Sequence, residues 1–313
     1  MTGNFPAEII ENILYFTKHN SYDNSYELCL VCKQFNNSCK LLIRDNENYP
    51  NMRNNNLSGL RNLTFLNLAH RNVITDEGIA LLPNLTSLNL TYNYTITDKG
   101  IANLVRLKTL NLTGQNNITD KGISRLTNLT SLNLFRNKYI TSGGISSLVN
   151  LVELNLQDND KIDNITSLVN LTALDLTRNE ILTDEKISHL INLTSLDLYD
   201  NHKISKVSPF INLISLNLSC NIISWRLYDG LAVTNKELSS LTQLTALHLH
   251  SNSTVSNEGI SSLINLTFLD LSYNDSITDE GISHLTNLTT LYLRFNQIIT
   301  KEGIKNLKLC TSL

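Results

Sequence analysis

One string, LxxLxLxxN, constrains this chain more than any other feature. It starts at Leu63, Leu85, Leu107, Leu129, Leu151, Leu171, Leu193, Leu213, Leu244, Leu266 and Leu288, with spacings of 22, 22, 22, 22, 20, 22, 20, 31, 22 and 22 residues. Only two copies end differently, at Arg71 and Gln115. A period of this length makes the chain an array of like units, each too small to bury its own apolar face and each completed by its neighbours. The array also accounts for the composition, in which 57 Leu and 44 Asn fill nearly a third of 313 positions.

Alternate side chains of a strand point to opposite faces. Leu88 and Leu90 of the second copy therefore face inward, while Ser87, Asn89 and Thr91 face out. The copy continues through Ile96-Thr97-Asp98-Lys99-Gly100-Ile101 to Leu104. Ile101 and Leu104 suit one face of a short helical turn that Thr97 caps and Asp98 supports with its charge. The segment Leu85–Asn93 carries the full motif of the leucine-rich repeat family, which the chain resembles in eleven in-phase copies. That resemblance implies an α/β solenoid over residues 57–313, with a parallel β-sheet on the concave face and short helices or turns on the convex face. A truncated twelfth copy begins at Cys310.

The Asn residues divide into sets. Those at the ninth position, such as Asn93, Asn137 and Asn179, can satisfy backbone groups in the turns between layers. Arg71 and Gln115 interrupt this ladder, and loosening is expected there. Asn67, Asn89, Asn111, Asn133 and Asn155 lie between inward Leu residues and are expected to form a polar stripe on the open face. Asn62, Asn84, Asn128 and Asn192 open N-x-S/T sequons, but Asn-Leu-Thr is the repeat's own text, so glycosylation is not expected.

The periodicity is absent before Leu57. Ile9, Ile10, Ile13 and Phe16 fall at helical spacing behind Pro6, a polar stretch follows, and a second apolar segment runs from Leu28 to Ile43. Phe5-Pro6, Glu8, Ile9-Ile10 and Ile13-Leu14, then Leu30-Val31-Cys32-Lys33 and Phe35, resemble the F-box. Phe5 stands where that family carries Leu, and the spacer between the two parts is longer. The resemblance implies an all-α module over residues 1–45, followed by an Asn-rich connection at 46–56. It implies docking on a Skp-type adaptor of a ubiquitin ligase through Phe5, Pro6, Ile9, Ile10, Ile13, Leu14, Leu30, Val31 and Phe35. The same helices could instead serve only to cover the first repeat.

Signatures of chemistry are lacking: no phosphate-binding glycine loop, HExxH or nucleophile motif occurs, and neither a cofactor nor a resident metal is expected. With 25 Lys+Arg against 28 Asp+Glu and no basic block, nucleic acid is not an expected partner. No apolar run is long enough to span a bilayer, the first residues show no basic stretch followed by an apolar one, so a secretory signal is not expected, and the five Cys lack a disulfide framework. These features point to a cytoplasmic or nuclear protein.

What the scaffold leaves over is surface. Aromatic and charged residues at outward positions concentrate in the last copies as His248, His250, Phe268, Asp270, Tyr273, Tyr292, Arg294 and Phe295, with Tyr199 further back. This patch is the expected site for a protein target. The copy after Leu213 carries an insertion, 222–232, whose Trp225, Arg226 and Tyr228 either join that site or pack back on the solenoid. The expectation is a non-catalytic interaction receptor that recruits a protein substrate to a ubiquitin ligase. A repeat scaffold or inhibitor with no link to ubiquitination is the alternative.

Overall fold

The computed structural model describes residues 54–57, 61–114, 116–220 and 233–308. The F-box-like segment, the 222–232 insertion with Trp225, and the truncated twelfth copy lie outside the described residues. Two compact units divide the chain: one runs to Asn133 and includes Asn137–Asn150, and the other comprises Leu134–Arg136 and everything from Leu151.

Each repeat forms a three-residue strand at the expected place, because only there do two inward Leu residues flank an outward polar one. The first unit holds β1 (Phe65–Asn67), β2 (Ser87–Asn89), β3 (Thr109–Asn111) and β4 (Ser131–Asn133), paired in parallel and in sequence order. The second holds β5 (Glu153–Asn155), β6 (Ala173–Asp175), β7 (Ser195–Asp197), β8 (Ser215–Asn217), β9 (Ala246–His248), β10 (Phe268–Asp270) and β11 (Thr290–Tyr292), paired likewise. Registers match like with like, so Leu88 sits opposite Leu110 and Leu269 opposite Leu291. Behind the strands a continuous apolar core fills each unit. In the second copy Leu85, Leu88, Leu90, Ile96, Ile101 and Leu104 are all buried, the burial that compensates for ordering so much backbone.

Spacing decides whether a copy has a helical turn. Four-residue turns occur in the 22-residue copies, for instance Asp98–Ile101 and Asp279–Ile282, and in the 31-residue copy as Asn235–Leu238. The two 20-residue copies, between β5 and β6 and between β7 and β8, have none. In the second of these, Phe210 replaces a Leu and is fully buried.

Side-chain ladders join the layers. At the ninth position, Asn179 donates from Nδ2 to the carbonyls of Leu156 and Asn159 and accepts from the amides of Ile181 and Leu182. Asn274 does the same for Leu249, Asn252, Ser276 and Ile277. Of the two interruptions of this ladder, Gln115 lies outside the described residues. Asn116, one residue on and 2% exposed, donates to the Leu112 carbonyl at 2.9 Å and accepts from the Ile118 amide.

A second ladder runs through the Asn before each first Leu. Asn84 donates to the Arg61 carbonyl and Asn128 to that of Val105, at 2.9 and 2.8 Å. Asn150, Asn212, Asn265 and Asn287 repeat the contact one layer back. Asn84, Asn128 and Asn192, which open sequons, thus have their Nδ2 engaged in the scaffold, Asn192 through a 3.4 Å bond to Val169.

A third ladder joins the helical turns. Asp76 accepts from the amide and hydroxyl of Thr97 in the next layer at 2.8 and 2.6 Å, and Asp98 and Asp120 treat Thr119 and Thr141 alike. Where the rung is Asn, as at Asn54, Asn235 and Asn257, its Nδ2 donates to the next hydroxyl instead. This direction controls capping. Thr97, Thr119, Thr141 and Thr300, whose hydroxyl hydrogens go to an Asp, accept an amide hydrogen from their own turn. Thr75, Ser256 and Thr278, which follow an Asn, do not. The rung also explains the glycines of the turn. A Cβ on Gly100 would lie 2.4 Å from Asp76 Oδ1, and one on Gly122 would lie 2.5 Å from Asp98 Oδ1. Lys186 replaces the glycine where the preceding copy has no turn, and so does Glu237.

Among the described residues no helix is long and apolar enough to cross a membrane.

Candidate functional site

The open face of the sheet begins as a backbone device. In each strand the residue between the two inward Leu side chains points out, where an Asn or Asp oxygen can reach the amide two residues on. Asn67, Asn89 and Asn111 accept from the amides of Ala69, Thr91 and Thr113. The polar stripe of the open face is therefore a row of backbone acceptors. Asp175, Asp197 and Asp270 keep this role toward Thr177, Tyr199 and Ser272 at 2.8–2.9 Å, and add a charge. His248 occupies the position without serving it, and the His250 amide turns to Ser219 Oγ of the preceding layer.

The chain then leaves the strand through one residue in the left-handed region. His70, Tyr92, Arg136, Asp158, Arg178, Asp200, Ser251, Tyr273 and Phe295 all have φ between 48° and 58°. A non-glycine residue there costs on the order of 1 kcal/mol or more. The compensation is local: the amide donates to the next layer, as from Tyr273 to Arg294 and from Arg178 to Tyr199, and side chains stack from layer to layer. In the first unit the His70 and Tyr92 rings stack at 5.2 Å. The next position there is Gly114, with φ of 78°, where a Cβ would strike the Tyr92 ring.

Two aromatic rows result on β9–β11. Across the strands the His248 ring lies 4.6 Å from Phe268, and Phe268 lies 5.5 Å from Tyr292. Alongside, His250 meets Tyr273 edge-on at 5.3 Å, Tyr273 meets Phe295 at 4.7 Å, and the Arg294 guanidinium covers Phe295 at 5.2 Å. Tyr292 is 45% and Phe295 61% exposed. Eight of the nine residues expected from the sequence, His248, His250, Phe268, Asp270, Tyr273, Tyr292, Arg294 and Phe295, thus form one patch. Tyr199 stands apart, its ring under Arg178 at 5.6 Å.

Sequence reasoning missed the charges of the earlier strands. Arg136 pairs with Asp158 at 2.9 Å and Arg178 with Asp200 at 3.3 Å, filling the left-handed position of four consecutive copies with alternating signs. That alternation was the signal available. Asp175 and Asp197 are register partners on β6 and β7. Asn155 donates to Asp175 at 2.7 Å, and Asn217 and Thr177 donate to Asp197 at 3.1 Å. Burial pushes the Asp175 carboxyl above its usual range against the hydrogen bonds from Thr177 and Asn155, and the charge of Asp197 pushes the same way. Among the described residues no group of three or more His, Cys, Asp or Glu is placed to hold a metal ion. The residues expected to bind an adaptor, and Trp225, Arg226 and Tyr228, lie outside the described residues.

A family model for leucine-rich repeats in two copies matches residues 264–308, and a single-repeat model matches 59–82, 81–105, 125–149 and 167–185. Among solved structures the chain is similar to an internalin (inlF) from Listeria monocytogenes, at 27% identity and TM-score 0.57 over 81% of both chains. It is also similar to a leucine-rich-repeat protein of Leptospira interrogans, at 26% identity and TM-score 0.54, over 80% of this chain and 72% of that one. TLR13, solved in complex with ssRNA13, matches 81% of this chain but only 39% of its own length, at 25% identity and TM-score 0.59. No curated protein matches the sequence.

Proposed function

We propose that this chain of leucine-rich repeats is a non-catalytic receptor that holds a protein target on the open face of β9–β11 and carries it to a ubiquitin ligase. The observation that carries the first half is the pair of aromatic rows. Phe268, Tyr292 and Arg294 are at outward positions where most other copies carry small or amide side chains, Phe295 adds a ring at the left-handed position beside them, and aromatic and Arg side chains dominate binding hot spots. A row held by parallel strands and left-handed residues is already ordered, so a partner meets little entropic cost in using it.

The second half rests on the F-box resemblance of residues 4–45. In this reading Phe5, Pro6, Ile9, Ile10, Ile13, Leu14, Leu30, Val31 and Phe35 dock a Skp-type adaptor, in the cytosol or nucleus. The repeats then raise the local concentration of the target near the ligase. The test pairs two variants of the full chain. P6A/I9A should lose co-purification with a purified Skp-type adaptor and keep the target, while F268A/Y292A/R294A should lose the target and keep the adaptor. Absence of any adaptor complex with the unaltered chain would leave a repeat scaffold or inhibitor. Unchanged target capture by the triple variant would remove the site from β9–β11.

A further inference from the structure

The face of the second unit has a second character beside the aromatic rows. In the register line of Glu153, the positions on β6, β7, β8 and β9 are Ala173, Ser195, Ser215 and Ala246, each directly paired with the next. Phe268 follows on β10. Four strands thus carry small side chains between Glu153 at one end and the Phe268 ring at the other, and Asp175 and Asp197 stand beside this floor. At about 4.8 Å per strand the floor is roughly 14 Å long.

The strand positions of this face are one-sided in charge, and the Arg136–Asp158 and Arg178–Asp200 pairs beside them cancel. At the outward positions of β5–β11 and the residue two beyond each strand, Glu153, Asp175, Asp197 and Asp270 are acidic, and Arg294 is the one Lys or Arg. Among the described residues neither Asp175 nor Asp197 has a cationic partner within salt-bridge distance. Their hydrogen bonds come from neutral donors, Thr177 and Asn155 for the first and Tyr199, Thr177 and Asn217 for the second. Two in-register carboxylates on neighbouring strands repel each other, and a cation above them would relieve that repulsion. A polyanion such as RNA would be repelled by the same groups.

We infer that this floor binds an extended basic segment of a protein partner. A Lys or Arg side chain sits over Asp175 and Asp197, and an apolar or aromatic side chain sits against Phe268 and His248. From the midpoint of β6 and β7 to β10 is about 3.5 strand steps, or roughly 17 Å, which an extended peptide covers in about five residues. The partner's signature is therefore a basic residue and a large apolar residue separated by about four to six positions. This inference rests on the receptor reading above and gives it a chemistry.

Random decapeptides displayed on phage and selected on the full chain test it. Selected peptides should carry Lys or Arg at that separation from an aromatic or large aliphatic residue. Synthetic copies should bind D175N/D197N roughly tenfold more weakly, as the loss of two surface charge contacts implies. Selection on D175K/D197K should return acidic peptides instead. A second variant, S215R, which obstructs the floor and leaves both carboxylates in place, should also lose the peptide while keeping the circular dichroism of the parent. Recovery of neutral or acidic peptides, no recovery at all, equal binding to a folded D175N/D197N, or single-stranded oligouridine binding that the carboxylates do not weaken would each overturn the inference. The two readings separate cleanly. Neutral peptides that bind and are lost in F268A/Y292A/R294A leave the receptor site standing without this chemistry. Basic peptides that depend on Asp175 and Asp197, with target capture unchanged in the triple variant, leave the floor standing without the β9–β11 target site.

Discussion

The two units share a backbone plan and differ on their open faces. In the first, Asn67, Asn89, Asn111 and Asn133 repeat almost without change, and the amides of the first three of them serve the backbone two residues on. In the second, the same column reads Asn155, Asp175, Asp197, Asn217, His248, Asp270 and Tyr292. Asp enters at little cost because it keeps the acceptor oxygen, and His248 enters where a Ser219 hydroxyl takes over that duty for the next turn. A repeat can therefore diversify its face only through residues that still satisfy the backbone, or with a substitute acceptor nearby.

The largest expected effect belongs to the scaffold common to both units. Asn179→Leu removes an amide that serves four backbone groups, three of the bonds buried, and at about 1–3 kcal/mol for each group left unsatisfied and not rehydrated, a loss of roughly 3–5 kcal/mol is expected. Thermal unfolding checks this, and accelerated hydrogen exchange at the Leu182 amide should localise it. F268A/Y292A/R294A should do the reverse, costing target capture and lowering stability by only about 1–2 kcal/mol, because Tyr292 and Arg294 are exposed. Equal loss of stability in the two variants would erase the distinction between scaffold and face.

Gly100→Ala comes next. The added methyl collides with Asp76 Oδ1, which is held by two bonds to Thr97, so a loss of about 1–3 kcal/mol is expected. Lys186→Ala, at the corresponding place behind a copy with no turn, should stay within about 0.5 kcal/mol. Denaturant midpoints of the two variants compare the sites directly.

The smallest effect is one of pH, and it has opposite signs on the two sides of a repeat. Burial raises the Asp175 carboxyl, so the ionised form at neutral pH opposes folding. D175N should therefore melt higher at pH 7, and that advantage should fade as the pH falls from above the ordinary carboxylate range into it. Bonds from the Thr300 hydroxyl and amide hold Asp279 below its usual range, so it supports folding at neutral pH and loses that support as pH falls. D279N should flatten the acid limb of the melting curve without collapse of the rung, since Asn257 already fills the same place one layer earlier. Parallel melting curves for the two variants would contradict this assignment.

Much of this molecule was legible before folding was considered. The strands, their parallel order, the buried Leu and Ile, the turn at Thr97 and the ninth-position amides all follow from period and alternation, which are local. The aromatic cluster from His248 to Phe295 was legible too, as residues the period does not require. The duties of the other Asn residues were not. Asn84, the Asp76–Thr97 rung and the need for glycine at position 100 involve partners 21 to 24 residues apart, which touch only once layers stack.

By itself, then, the sequence determined the repeat unit and its inward face, because apolar periodicity admits one way of burying so many Leu side chains. Only the tertiary structure decided what the polar residues do. Asn116 bonds back to the Leu112 carbonyl of its own copy, Thr caps its turn when the layer before it offers a carboxylate, and left-handed residues lay Tyr273 and Phe295 into a row. A hydrogen bond depends on distances of a few tenths of an ångström between groups distant in sequence, and stacking sets those distances.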